Sequence, residues 1–255
     1  MKILMIGDIV GKPGRKAAGE VVPTLRREHG IDLVVANGEN AAGGFGLTLS
    51  TAKELLSAEI DVITTGNHIW AQKEIIPYLD SELPILRPLN FPPRNPGRGY
   101  LIKNRVVVVN IIGRVFMGNF DCPFRAMDEL LEKVVSTRAT IVVDFHAEAT
   151  SEKVAMGRYL AGRVSAVFGT HTHVGTIDAQ ILPGGTAYVT DVGMVGPVDS
   201  VIGDDAEAVI DRFLTQAPRR LSVGKGKVNF DGVLVEVDDS TGKAMSITRI
   251  HRIVG

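Results

Sequence analysis

Short apolar runs recur along the chain, most closed by a small or polar residue. Between them, apolar residues return every three or four positions. The runs 2–6, 32–36, 61–65, 140–145 and 164–168 predict buried strands. Segments 14–29, 50–57, 151–160 and 204–215 predict helices, with Gly30 as the C-cap of the first. Segment 123–136 predicts an amphipathic helix, because Met127, Leu130, Leu131, Val134 and Val135 share one stripe. Residues 100–112 read as strand around a Lys103-Asn104 turn, and 86–99, rich in Pro, Arg and Asn, as an irregular loop. The rhythm of strand, loop and helix implies a largely parallel central sheet. Runs 186–190, 228–237 and 244–253 predict the strands of a second sheet. No linker, repeat or low-complexity tract interrupts the chain. The expectation is one α/β domain over 1–255, with two sheets and flanking helices.

Composition narrows the class. The 255 residues are 45% hydrophobic and 22% charged, ordinary for a folded globular chain. Disorder, coiled coil and disulfide scaffold are excluded. Lys plus Arg number 28 and Asp plus Glu 29, so no global basic field exists to gather nucleic acid. No stable nucleic-acid complex is expected, whereas a nucleotide-sized substrate remains compatible if metals supply local positive charge. Cys122 is the only cysteine, which fits a reducing compartment and reads as a packed small residue. No run approaches a membrane span or a cleavable leader, so no membrane association and a cytoplasmic location are expected.

The chemistry lies at the strand ends. Asp8, Glu39, Asn67, His146 and His171 each follow an apolar strand. In parallel sheets the carboxyl ends of strands share an edge where ligands bind, so these residues should converge. Carboxylates, imidazoles and an amide form a mixed oxygen and nitrogen donor set, which suits Mn, Fe or Zn better than Mg or Ca. The set exceeds what one tetrahedral ion needs, and two metals follow. Taken singly, a strand-end Asp or Asn is usually a turn or cap residue; the joint pattern makes the argument. His171 and His173, at i and i+2 after Gly169-Thr170, are either a strand pair or a bent loop presenting two ligands. His68, next to Asn67, falls in the same pocket and has a pKa suited to proton donation. His29 at a helix end and His251 in a strand read as structural. The segment Gly7-Asp-Ile-Val-Gly-Lys12 fails as a phosphate-binding P-loop: its glycines are separated by three residues and Pro13 stands where a hydroxyl is needed. The loop at 43–46 lacks a dinucleotide fingerprint.

In order, these motifs resemble the calcineurin-like metallophosphoesterases. Asp8 matches the first Asp, with Val10 where a His is usual; Gly38-Glu39 replaces Gly-Asp. Gly66-Asn67-His68 matches, with Ile69 for the usual acid. His146 matches the lone His, and Gly169-Thr170-His171-Thr172-His173 the closing motif with one residue inserted. The departures, with Asp191-Val192-Gly193-Met194 and Gly196-Pro197, resemble the YmdB-type bacterial phosphodiesterase family over essentially the whole chain. That resemblance implies an αββα two-sheet sandwich and a dinuclear centre, iron ranked ahead of manganese. It implies hydrolysis of phosphodiesters, cyclic nucleotides included. Glu39 would bridge the metals. Asp8, His173 and Asn40, the last taking the place left by Val10, would hold one; Asn67, His146 and His171 would hold the other. His68 would be the general acid beside a metal-bridging hydroxide.

Two rivals keep the same fold. One is a regulatory or nucleotide-sensing protein with little turnover, motivated by Ile69 and the lost His. The other is a two-metal hydrolase of amides or phosphomonoesters. Arg87, Asn90 and Arg94 read equally as phosphate contacts or as a solvated loop. A small nucleotide or phosphodiester is the expected partner, and a homo-oligomer is left open.

Overall fold

The computed structural model describes residues 1–134 and 140–255. Two sheets lie face to face with helices on both outer sides. The first holds β1 (Lys2–Ile6), β2 (Asp8–Ile9), β3 (Leu33–Asn37), β4 (Val62–Thr64), β11 (Met194–Pro197), β12 (Val228–Val237) and β13 (Ala244–Val254). The second holds β5 (Tyr100–Lys103), β6 (Val106–Ile112), β7 (Thr140–His146), β8 (Ala166–Thr170), β9 (Gln180–Leu182) and β10 (Thr186–Val189). Parallel pairs β1–β3–β4 and β6–β7–β8–β10 form the two centres.

The pleat explains the layering, because alternate residues of each strand face opposite sides. Ile3 and Met5 of β1 pack with Val106, Val142, Phe168 and Val189 between the sheets. Leu4 and Ile6 turn outward onto α1 (Gly11–His29) and α2 (Leu49–Ser57) through Ala18, Val22, Leu25, Ala52 and Leu55. On the far side, Val107, Val109, Val143 and Phe145 cover α3 (Pro123–Val134) and α4 (Thr150–Leu160) through Met127, Leu130, Met156 and Leu160. Each such fully buried side chain contributes about 1.5–3 kcal/mol, and the predicted stripe of α3 faces this core. Its expected continuation, Val135 included, lies outside the described residues. Helix α1 begins three residues before the predicted start and ends as expected at Gly30, in the left-handed conformation at φ 61°. Helix α5 (Ala206–Thr215) is capped by Asp205, whose side chain accepts from Ala208 N. No helix among the described residues is long and apolar enough to cross a membrane.

Two expectations are corrected. Runs 186–190, 228–237 and 244–253 do not form one sheet. β10 joins the second sheet beside β8, while β12 runs antiparallel along β1, Lys2 opposite Glu236 and Ile6 opposite Gly232. Strand choice of edge depends on non-local pairing, which an apolar run does not encode. Nor do the polar strand ends share one sheet: Asp8, Glu39 and Asn67 come from the first and His146 and His171 from the second. The sheets align so that both sets of carboxyl ends open on one rim.

Loop 86–99 is irregular but not solvated at its start. Arg87 is buried, with Nη1 donating to Pro88 O at 2.8 Å. Asn90 Nδ2 donates to Ile112 O and Asp121 O, both at 2.8 Å. Arg87 thus ties the loop to itself and Asn90 ties it to β6, and neither lines the cleft beside the strand-end cluster; Arg94 is exposed.

Candidate active site

Three backbone features bring the polar strand ends together. Gly7 bends β1 into β2 where a Cβ would meet Gly193 O at 2.0 Å, and Asp8 then pairs with Met194 of β11. At Gly66 a Cβ would fall 2.3 Å from His146 Nε2 and 2.6 Å from Glu39 Oε2, so only glycine lets Asn67 approach the cluster this closely. After β8, His171 and His173 take positive φ values of 99° and 65°. Non-glycine residues in this region cost of order 1–3 kcal/mol each, strain characteristic of functional sites. The pair forms a bent loop rather than a strand, and both rings reach the same cleft.

The partners of the ring nitrogens can be followed one by one. Thr170 Oγ1 donates to Asp144 Oδ1 at 2.6 Å, and His146 Nδ1 lies between that hydroxyl oxygen at 3.0 Å and the Asn37 amide Nδ2 at 3.2 Å. His146 Nε2 faces inward. His171 Nε2 lies 3.0 Å from Glu148 Oε2, and its Nδ1 faces His146 Nε2 at 3.0 Å. His173 Nδ1 donates to Ile202 O at 2.6 Å, so its Nε2 accepts from Asn40 Nδ2 at 3.1 Å and lies 3.7 Å from Asp8 Oδ1. Burial holds His146 down at about 4 and His171 at about 3, so both rings are neutral near pH 7. Burial likewise raises the Asp8 carboxyl above its ordinary value, against the neighbouring imidazoles.

Atoms able to ligate a metal converge on one another. His146 Nε2 lies 3.0 Å from His171 Nδ1, 3.0 Å from Glu39 Oε1 and 3.1 Å from Asn67 Oδ1. Glu39, His146 and His171 form one metal-sized cluster. Asp8 Oδ1 and Glu39 Oε1 are buried without a hydrogen-bond partner; the imidazole nitrogen near Glu39 is close but not aligned to donate. Buried carboxylate oxygens left unpaired among the described residues are costly unless a cation sits beside them. The donor set thus fits metal ions, and its softness balance fits first-row transition metals. A second group, Asp8, His173 and Asn40, lies beside the first: Asp8 Oδ1 is 4.0 Å from His146 Nδ1, and Asn40 Nδ2 is 3.1 Å from His173 Nε2.

His68 sits on the cleft side. Its backbone N–H donates to Glu39 Oε2 at 2.9 Å, and its Nδ1 donates to Asn40 Oδ1 at 2.8 Å. Burial lowers its pKa, with Glu39 opposing. Ile69 is fully buried in the helix-facing core, so the position of the usual acid does not face His68; Asn40 orients the ring instead. Val10 is buried at the cleft edge. His29 and His251 lie apart; His251 Nδ1 pairs with Asp231 Oδ1 at 2.8 Å.

Asp144, Glu148 and Lys153 escaped the motif reading, and Asp191 was read there only as part of the Asp191–Met194 segment, without a role. Asp144, held by Thr170, Thr64 and Asn37, supports His146 from beneath, and burial raises its carboxyl to about 7. Its signal was a lone carboxylate inside an apolar strand run. Glu148 had no signal beyond lying two residues after His146. Lys153 and Asp191 form a buried pair at 2.6 Å, and Asp191 also accepts from Thr172 Oγ1 at 2.6 Å, clamping the His171–His173 loop.

Two stacked sheets with a carboxylate, amide and imidazole cluster on their common rim define an αββα sandwich of the metallophosphoesterase type. The chain belongs to the YmdB-like protein family, whose profile matches residues 4–250. It is 48% identical to a Bacillus subtilis 2′,3′-cyclic-nucleotide 2′-phosphodiesterase, over 98% of this chain and 96% of that one. Among solved structures it is similar to a hypothetical protein from Thermus thermophilus, with TM-score 0.93, 43% identity and 99% of each chain covered. A Mycoplasma pneumoniae phosphatase structure matches with TM-score 0.93 and 36% identity, over 99% of this chain and 93% of that one.

Proposed function

We propose that this protein opens 2′,3′-cyclic nucleotides at the 2′-ester with the help of two metal ions, iron or manganese, in the cytoplasm. The broader class, phosphoric diester hydrolase, follows from the family. The substrate is read from the 48% identical relative, and the metal-assisted part is supported by the convergence of ring nitrogens and unpaired buried carboxylate oxygens beside His68. Asp8, Asn40 and His173 would hold one ion, Asn67, His146 and His171 the other, with Glu39 shared. Bound there, the ions would offset phosphate charge and lower the pKa of a water.

The chain's own groups do the rest. Asn40 holds His68 by Nδ1 and leaves Nε2 for the cleft, where the protonated ring can donate to the leaving oxygen. Burial weakens the ring's hold on that proton, which favours its delivery. Glu39 Oε2, accepting from the His68 backbone, keeps the acid in register with the ligand set.

Incubation of metal-reconstituted protein with 2′,3′-cyclic AMP, with products separated by chromatography, tests this. The expected product is 3′-AMP, with kcat reduced about 10²–10⁴-fold in His68→Ala at unchanged metal content. A 2′-AMP product, preference for 3′,5′-cyclic AMP, or binding without turnover would overturn it. The last result would favour the sensing rival.

A further inference from the structure

The cleft above the ligand cluster has a volume of about 760 Å³, within the range of sites for small organic ligands. Polar groups line its floor. One aromatic ring stands at its rim: Phe45, 54% exposed and part of none of the three cores. An exposed phenylalanine is ordinary by itself. This one is set apart by how it is held and what it touches.

The loop carrying it is built from Gly43, Gly44 and Gly46 at φ 68°, 92° and 89°. It is tied at both ends. Gly44 N donates to the backbone oxygen of Asn40 at 3.1 Å, and Gln72 Nε2 donates to Phe45 O at 2.9 Å. A Cβ at Gly46 would meet Gln72 Cγ at 2.6 Å, so the loop packs closely on its neighbour. The Phe45 ring lies against His68, with centroids 4.2 Å apart and planes inclined at 45°. A pinned loop thus presents an apolar face beside the group that protonates the leaving oxygen.

We infer that Phe45 is the platform on which the nucleobase of the substrate stacks. The inference rests on the proposed reaction and adds its recognition element. When the 2′-ester breaks, the leaving oxygen is O2′, and the base is attached to the adjacent ribose carbon. A ribose whose O2′ faces His68 therefore carries its base within a few bonds of the same ring. Every nucleobase offers a π-face, so a stacking platform recognises nucleosides without selecting among them. Arg220 is the one Lys or Arg on the cleft wall, and among the described residues it forms no ion pair.

The test compares metal-loaded wild type, Phe45→Ala and Phe45→Trp on 2′,3′-cyclic AMP and on 1-O-methylribose 2′,3′-cyclic phosphate, which has no base. The quantity read is the ratio of kcat/KM for the two substrates. Wild type prefers the nucleotide. In Phe45→Ala the ratio falls about ten- to hundred-fold, mainly through KM, and in Phe45→Trp it is retained. A ratio unchanged in Phe45→Ala, whether both activities fall together or neither does, overturns the platform and leaves the ring as packing for His68. A wild type without preference for the nucleotide overturns the nucleotide reading itself, and the platform with it.

Discussion

Two buried carboxylates flank the same three-residue loop and are served in opposite ways. Asp191 accepts from Lys153 Nζ at 2.6 Å, from the Thr172 hydroxyl and backbone at 2.6 and 3.2 Å, and from Gly193 N at 2.9 Å. Asp8 accepts one bond, from His171 N at 3.0 Å, and its other oxygen has none. Consecutive peptide groups of one loop thus anchor to a saturated carboxylate and to an unsaturated one. The first carries its counter-charge within the fold and locks the loop. The second, with Glu39, has no lysine or arginine beside it among the described residues, and imidazole nitrogens surround it instead. Buried charge is structural where its partners are complete and points to a ligand where they are not.

The comparison can be broken most severely at Lys153. Lys153→Met leaves Asp191 buried and uncompensated, at a cost of about 3–5 kcal/mol. Thermal melting of metal-free protein should fall by about 6–20 °C; a loss of a degree or two would show the pair to be dispensable. Chelation comes next. With metal at about a hundred times its Kd, binding adds about 2.7 kcal/mol, so wild type should melt lower after chelation while Asp8→Asn barely responds. Asp144→Asn, which keeps the shape but weakens the support under His146, should lower metal affinity about 10–100-fold in calorimetric titration. Away from the rim, Asn90→Ala strips three buried hydrogen bonds from loop 86–99. It should lower stability by about 1–3 kcal/mol in denaturant unfolding and leave kcat/KM untouched, because that loop is scaffold. The smallest change is the most pointed. In metal-free protein, Asp8→Asn should shift stability by less than about 1 kcal/mol in either direction, since it removes an unpaired charge and can keep the bond to His171. A large loss there would mean that Asp8 is already satisfied.

Much of this was legible along the chain, for identifiable reasons. Apolar runs closed by Asp8, Glu39, Asn67 and His146 located the strand ends, since burial on both faces makes a strand apolar throughout. The split of β10 from β12 and β13 was not legible, because both edges accept an apolar strand equally well. The inward turn of His171 and His173 depends on two positive φ values that no residue type there announces. Lys153 reads as a solvent-facing helix residue, and only tertiary packing brings Asp191 to it. Ile69 looked like a weakened motif; it is a core residue, and the orienting work falls to Asn40.

In the proposed mechanism, the buried carboxylates of Asp8 and Glu39 hold the metal ions on which diester hydrolysis depends. The most direct test of that mechanism is elemental analysis of protein purified without chelator, wild type beside Glu39→Gln, with 2′,3′-cyclic AMP hydrolysis measured on the same samples. The account predicts about two Fe or Mn per wild-type chain, with metal and hydrolysis lost together in the variant. Full hydrolysis from a wild-type chain that holds no metal would contradict it.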